Sequence, residues 1–88
     1  MTKATVYTTA LCPYCTMALS LLRKKKGVEI EEIRAGFSPK KRKEMMARSN
    51  GGYTFPQIFI GETHVGGCDD MMALERAGKL DALLANGG

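Results

Sequence analysis

Cys12-Pro13-Tyr14-Cys15 is the stretch whose reading decides the fold. It follows a short apolar run, Ala4 to Thr8, and precedes a helix-like segment, Met17 to Leu22. A strand that stops just before C-x-x-C, with a helix starting on it, is a redox arrangement. Pro13 suits the first helical position, where its missing N–H is no loss and its fixed φ is already helical. Cys12 then stands at the helix entrance, beside free backbone N–H groups and the positive end of the dipole, where a thiolate is stabilised. Cys15 lies one turn on along the same face, so its sulfur reaches back to Cys12 and the pair can open and close a disulfide without unfolding the chain. Two other readings compete. The motif can be half of a zinc site completed by His64 and Cys68, but zinc pairs sit on turns more often than at a Pro-started helix. The cysteines can also be inert core residues, which the Pro-Tyr spacing disfavours.

Working outward, Lys3 to Thr8 alternates and is β-prone, which predicts a first strand. From Pro13 the apolar positions Tyr14, Met17, Ala18, Leu21 and Leu22 recur at helical spacing, with Gly27 closing that helix. Val28 to Ile33 alternates again and carries three carboxylates, as suits a charged edge strand. After a loop at Ala35-Gly36-Phe37, Ser38 and Pro39 open a second helix as N-cap and first residue, running to Arg48 and ended by Asn50-Gly51-Gly52. Pro56 to Ile60 reads as a short buried strand with Pro56 in its first position. Gly61-Glu62 turns the chain into Thr63-His64-Val65, a hairpin. Gly66-Gly67 breaks that pattern, and Asp69 and Asp70 put acid in the first turn of a third helix reaching Gly78. A last amphipathic piece carries Leu80, Leu83 and Leu84. The order β-α-β-α-β-β-α, with a right-handed crossover between the first two strands, predicts a four-stranded mixed sheet with helices on both faces, a thioredoxin-like α/β fold.

The chain of 88 residues is read as a single domain, residues 1–88, with a modest core. Three cysteines do not suit a structural disulfide framework. No stretch is long and apolar enough to span a membrane, and the opening residues lack a signal-peptide core, so a cytoplasmic, reducing location is expected. Thirteen Lys and Arg against nine Asp and Glu leave a net charge of +4, concentrated in Arg23 to Lys26 and Lys40 to Lys43. Aromatics interleaved with the bases are missing, which argues against nucleic acid as a partner. The first run suits the C-terminal turn of a helix, whereas the second opposes the dipole of the helix it opens.

Three motifs carry a resemblance over nearly the whole chain: Cys12-Pro13-Tyr14-Cys15, Thr54-Phe55-Pro56-Gln57 and Gly66-Gly67-Cys68-Asp69-Asp70. Together, in this order, they resemble those of the dithiol glutaredoxins, most nearly the small bacterial type. The resemblance implies a glutathione-dependent thiol–disulfide oxidoreductase serving electron transport and cell redox homeostasis, with glutathione as co-substrate and no permanently bound cofactor. It implies that Cys12 is the nucleophile and Cys15 the resolving thiol. Cys12 would attack the protein-side sulfur of a glutathionylated protein and retain glutathione until a second glutathione removes it. Alternatively it would attack a protein disulfide, with Cys15 completing the exchange. Pro56 would be a cis-proline facing the disulfide, and the backbone of Phe55 would pair with the cysteinyl unit of glutathione. The N–H groups of Cys68 and Asp69, following Gly67, would hold its γ-glutamyl carboxylate, as a helix N-terminus does for any anion. Asp69 or Asp70 would meet its ammonium group, and Tyr14 would line the groove. Partners would be glutathione and glutathionylated or disulfide-containing proteins, ribonucleotide reductase among them by analogy alone, and the protein would act as a monomer. Two positions depart from the pattern: Phe55 replaces the usual valine, and Thr9 replaces a lysine that would favour the thiolate and the glycine carboxylate of glutathione.

A thioredoxin-type redoxin recharged by a flavoprotein reductase is the alternative within this chemistry, though the chain contains no Trp. Outside it, the alternative is a metal- or iron–sulfur-binding module, which Pro13 and the second cysteine disfavour. His64 is read as a hairpin surface residue. Cys68 is read as a small residue filling a tight site, with a redox-active thiol as the sharper option, and the methionines as core filler. The second helix is expected to start at the sheet end opposite the disulfide. With that direction Arg48 or a neighbouring base, at its other end, partly replaces the missing lysine near Thr54 to Pro56, while Lys40 to Lys43 serve solubility or acidic partners.

Overall fold

In the computed structural model, which describes residues 2–88, the run before the cysteine motif is strand β1 (Thr2–Thr8); Met1 lies outside the described residues. The chain continues through α1 (Pro13–Arg23), β2 (Val28–Arg34), α2 (Pro39–Arg48), β3 (Gln57–Ile60), β4 (Thr63–Gly66), α3 (Cys68–Arg76) and α4 (Leu80–Asn86). The sheet order is β2-β1-β3-β4. β1 runs parallel to β2, from Thr2 opposite Val28 to Thr8 opposite Arg34. It runs antiparallel to β3, with Tyr7 opposite Gln57 and Ala4 opposite Ile60. This is the expected thioredoxin-like mixed sheet, with β2 at an edge. The last amphipathic piece adds a helix of its own, seated by Leu80 and Leu84.

Alternation along the central strands divides the core between the two faces of the sheet. Ala4, Val6, Ile58 and Ile60 meet Ala18, Leu19 and Leu22 of α1, Met71 of α3, and Leu80 and Leu84 of α4. Tyr7 and Phe59, pointing the other way, meet Met45 of α2 and Ala35. Their rings pack edge to face, with centroids 5.7 Å apart. Burying a side chain such as Leu22 or Ile58 contributes about 1.5–3 kcal/mol relative to leaving it in water.

Strand directions fix where the loops fall. The C-terminal ends of β1 and β2, the start of β3 and the end of β4 all lie at one end of the sheet. Consequently α1, α2 and α3 all begin there. This corrects the expected placement of α2: because β2 is parallel to β1, the chain leaves β2 at the disulfide end, and Ser38 caps a helix that runs away from it.

Two boundaries also move. α1 closes at Lys24, and the N–H groups of Lys24 and Lys25 bond to the carbonyls of Leu21 and Leu22. Gly27 is therefore no helix cap; with φ +72° it turns the chain into β2, and its carbonyl accepts from the Thr2 N–H. Pro56 stands just before β3 and follows a cis peptide bond from Phe55, as its motif predicts.

Candidate active site

Cys12 is the N-cap of α1, with extended backbone at φ −112° and ψ 98°, and Pro13 begins the helix. The Cys15 N–H donates to Cys12 Sγ at 3.2 Å, so the sulfur occupies the place of a capping side chain. No acidic residue stands in the first turn of α1 to oppose a negative sulfur. The two cysteines are joined as a disulfide with Cα atoms 5.2 Å apart. Cys12 is half-buried and Cys15 is buried, so an incoming group reaches Cys12 first. Leu11, immediately before Cys12, has φ +52° and a fully exposed side chain.

Beside the motif lies a cleft of about 370 Å³. Tyr14 forms one wall, Phe55 and Pro56 another, and Gly67, Cys68, Asp69 and Asp70 close it at the start of α3. All seven residues named from the motifs as glutathione contacts are thus brought together. Thr54, Gln57 and His64 line the same cleft, though the motifs do not assign them as glutathione contacts. The first two flank the Phe55-Pro56 pair, which was signal enough to include them. His64 arrives only because the hairpin folds back: its Nε2 lies 2.7 Å from Gln57 Oε1 and its ring stacks on Phe59.

The start of α3 is built to leave its amides open. Gly67 is an N-cap without a side chain, and the Asp70 carboxylate accepts from the Gly67 N–H at 3.0 Å. Gly66, at φ +116°, has no room for a Cβ because the Asp70 carboxylate would meet it. Asp70 is therefore engaged as a cap, which leaves the exposed Asp69 as the carboxylate at the mouth. Cys68 is buried, and burial pushes its thiol above the ordinary range, with the Asp69 charge adding to the effect. That is opposite to the activation a helix N-terminus would give, and it favours the space-filling reading.

The four residues of the zinc reading are not gathered: Cys15 is bonded to Cys12, and His64 is engaged by Gln57 in the other cleft. Among the described residues no three His, Cys, Asp or Glu side chains gather as a metal-binding group. Arg48 is also not where the sequence put it. Its Nη1 donates to the Tyr7 hydroxyl at 2.9 Å, and its guanidinium lies 4.3 Å from the Phe59 ring centroid. Arg42, from the opening turns of α2, is the base over Phe55, 5.9 Å from the ring centroid. The reversed direction of α2 accounts for both.

A second cleft, of about 640 Å³, is lined by Cys12 and Cys15 themselves, with Thr8, Thr9, Glu32, Phe37 and Ser38 among its walls. Thr8 Oγ1 donates to Glu32 Oε2 at 2.9 Å. Thr9 packs so closely on Gly36 that a Cβ there would overlap it.

Comparison with known proteins adds four findings to this geometry. The family model described as Glutaredoxin matches residues 4–65. A glutaredoxin from Pseudomonas aeruginosa is 59% identical over 85 residues, covering 97% of this chain and 99% of the relative. Among solved structures, the glutaredoxin from Brucella melitensis matches with a TM-score of 0.80 at 53% identity, covering 98% of this chain and 91% of that one. A buckwheat glutaredoxin–glutathione complex matches with a TM-score of 0.81 at 27% identity, covering 97% and 78%.

Proposed function

The chain belongs to the glutaredoxin family, and from that premise we propose that it is a glutathione-dependent thiol–disulfide oxidoreductase working through Cys12 and Cys15. The observation that carries the reading is the join between the two halves of the site. A half-buried, amide-capped Cys12 paired with a buried Cys15 sits beside a cleft that ends in the open amides of α3. The relative solved with glutathione supports the choice of co-substrate.

In the reduced protein the Cys12 thiolate attacks a disulfide sulfur, aided by the N–H of Cys15 and the dipole of α1. With a glutathionylated protein, atom balance moves the attack from the protein-side sulfur to the glutathione sulfur, because the sulfur attacked is the one retained. The protein thiolate leaves and glutathione stays on Cys12. A second glutathione thiolate then attacks the glutathione sulfur, forming glutathione disulfide and releasing Cys12. With a protein disulfide, Cys12 forms a mixed disulfide with one protein sulfur. Cys15, after losing its proton, displaces that protein thiol and closes the Cys12–Cys15 bond. Two glutathiones reopen it. Ribonucleotide reductase would be a substrate of this second kind.

In the groove, the Phe55 backbone pairs with the cysteinyl unit. The Cys68 and Asp69 N–H groups receive the γ-glutamyl carboxylate, and Asp69 faces the ammonium group while Asp70 holds the turn. Tyr14, Pro56 and Gly67 shape the walls. We read the protein as a monomer of the reducing cytoplasm, where such thiols stay available.

Substitution separates the two cysteines. Cys12→Ser abolishes turnover of both substrate classes. Cys15→Ser retains reduction of a glutathionylated peptide and loses reduction of a protein disulfide, both measured with glutathione and glutathione reductase. Equal loss of the two activities in Cys15→Ser would contradict the division of labour.

A further inference from the structure

The Cys12–Cys15 motif borders two clefts that have no lining residue in common: Tyr14 lines one, while Cys12 and Cys15 line the other. The glutathione reading uses the first. The second is the larger, and both cysteines are among its lining residues. Its margin carries apolar side chains that the core does not use. Phe37 is exposed, and Leu11 is held in the left-handed region with its side chain wholly in solvent. A non-glycine residue kept at positive φ beside a nucleophile is strain retained at a working surface.

The charge at this margin is one-sided. Ser38 lines the cleft and caps α2, so Lys40, Lys41, Arg42 and Lys43 follow within about 8 Å along the helix axis. Arg34 lines the cleft from the end of β2. The acids near these bases are already engaged: Glu32 accepts from Thr8 and lies 3.6 Å from Arg34 Nε, and Glu44 accepts from Tyr7 and lies 3.9 Å from Lys41. Lys40 and Lys43 have no carboxylate partner among the described residues. The other basic run is different, because Lys25 is paired with both Glu75 and Asp81 at 2.9 Å. Cations in the first turns of a helix weaken it through the dipole, so fold stability gives no reason for this run.

Resting on the glutathione reading above, we propose that this second cleft docks the protein half of the substrate disulfide, and that it selects cysteine-bearing segments flanked by acidic residues. The segment lays an apolar side chain against Phe37 and Leu11 while its carboxylates face Arg34 and the start of α2. Opposite charge then steers encounter and fixes which sulfur meets Cys12.

Two glutathionylated peptides, identical except for Glu or Lys on both sides of the cysteine, test this. The small mixed disulfide of glutathione and 2-mercaptoethanol is run alongside. At about 0.01 M salt the acidic peptide is turned over with a kcat/KM about tenfold above the basic one, and the ratio falls toward unity at about 0.3 M. The double variant Lys40→Glu, Lys43→Glu reverses the preference. Its new carboxylates suit the helix N-terminus, so the fold is retained, which circular dichroism checks. Equal turnover of the two peptides at low salt, with the small disulfide still reduced, overturns the docking inference alone. So does a preference for acid that persists in the double variant. Failure to reduce the small disulfide overturns the glutathione reading and the docking inference with it.

Discussion

Three cysteines of one chain meet three different fates, and burial together with backbone amides separates them. Cys12 is accessible and receives an N–H; Cys15 is buried behind it; Cys68 is buried at the start of another helix. Only the thiolate reacts readily, so a thiol pushed upward by burial stays protonated and inert at neutral pH. Brief treatment of the fully reduced protein with iodoacetamide at pH 7 therefore carboxymethylates Cys12 first and leaves Cys68 unmodified, as read by peptide mass spectrometry. Label on Cys68 at a comparable rate would show that it is an active thiol. The pairing of Cys12 with Cys15 was legible because Pro13 and the three-residue spacing are local signals. Cys68 was not, since helix position and burial act on a thiol in opposite directions and only the packed neighbours decide between them.

Among the elements, α2 shows what a sequence does and does not carry. Ser38 and Pro39 marked its start, and Ser38 Oγ does accept from the Lys41 N–H. Its direction is not marked by any local signal and follows only from the parallel pairing of β1 and β2. Its anchor was hidden for another reason: Tyr7 lies 37 residues from Glu44 and 41 from Arg48. The Tyr7 hydroxyl donates to Glu44 Oε2 at 2.6 Å and accepts from Arg48, tying α2 to the central strand. Burial chiefly, then the bond to Glu44, raises the Tyr7 pKa, so the hydroxyl remains a donor at neutral pH. That bond chiefly holds the Glu44 carboxyl below its ordinary value. A depressed carboxyl stabilises the fold above its unfolded-state range and ceases to do so as pH falls through the folded value. Tyr7→Phe is thus expected to cost about 1 kcal/mol at pH 7. The difference from wild type should shrink as the pH is lowered through the carboxylate range, measured by urea unfolding. A deficit that stays constant down to acid pH would remove Glu44 from the account.

At the scale of the whole molecule, strand direction gathers the helix starts. Three helices begin at the sheet end that holds the disulfide, so their amides and positive dipole ends converge there, as suits a site for anions. The order of elements through the third helix was legible because turns and caps punctuate the chain, and the three short motifs located the cleft at the start of α3. The second cleft was not legible: it exists only where the ends of β1 and β2 meet α1 and the start of α2. The central claim is that electrons reach this disulfide from glutathione through the cleft at α3. The direct measurement is NADPH oxidation by the purified protein with a protein disulfide, recharged either by glutathione with glutathione reductase or by thioredoxin reductase alone. Turnover that requires glutathione and is absent with thioredoxin reductase is the predicted result; equal or faster turnover with thioredoxin reductase and no glutathione would contradict it.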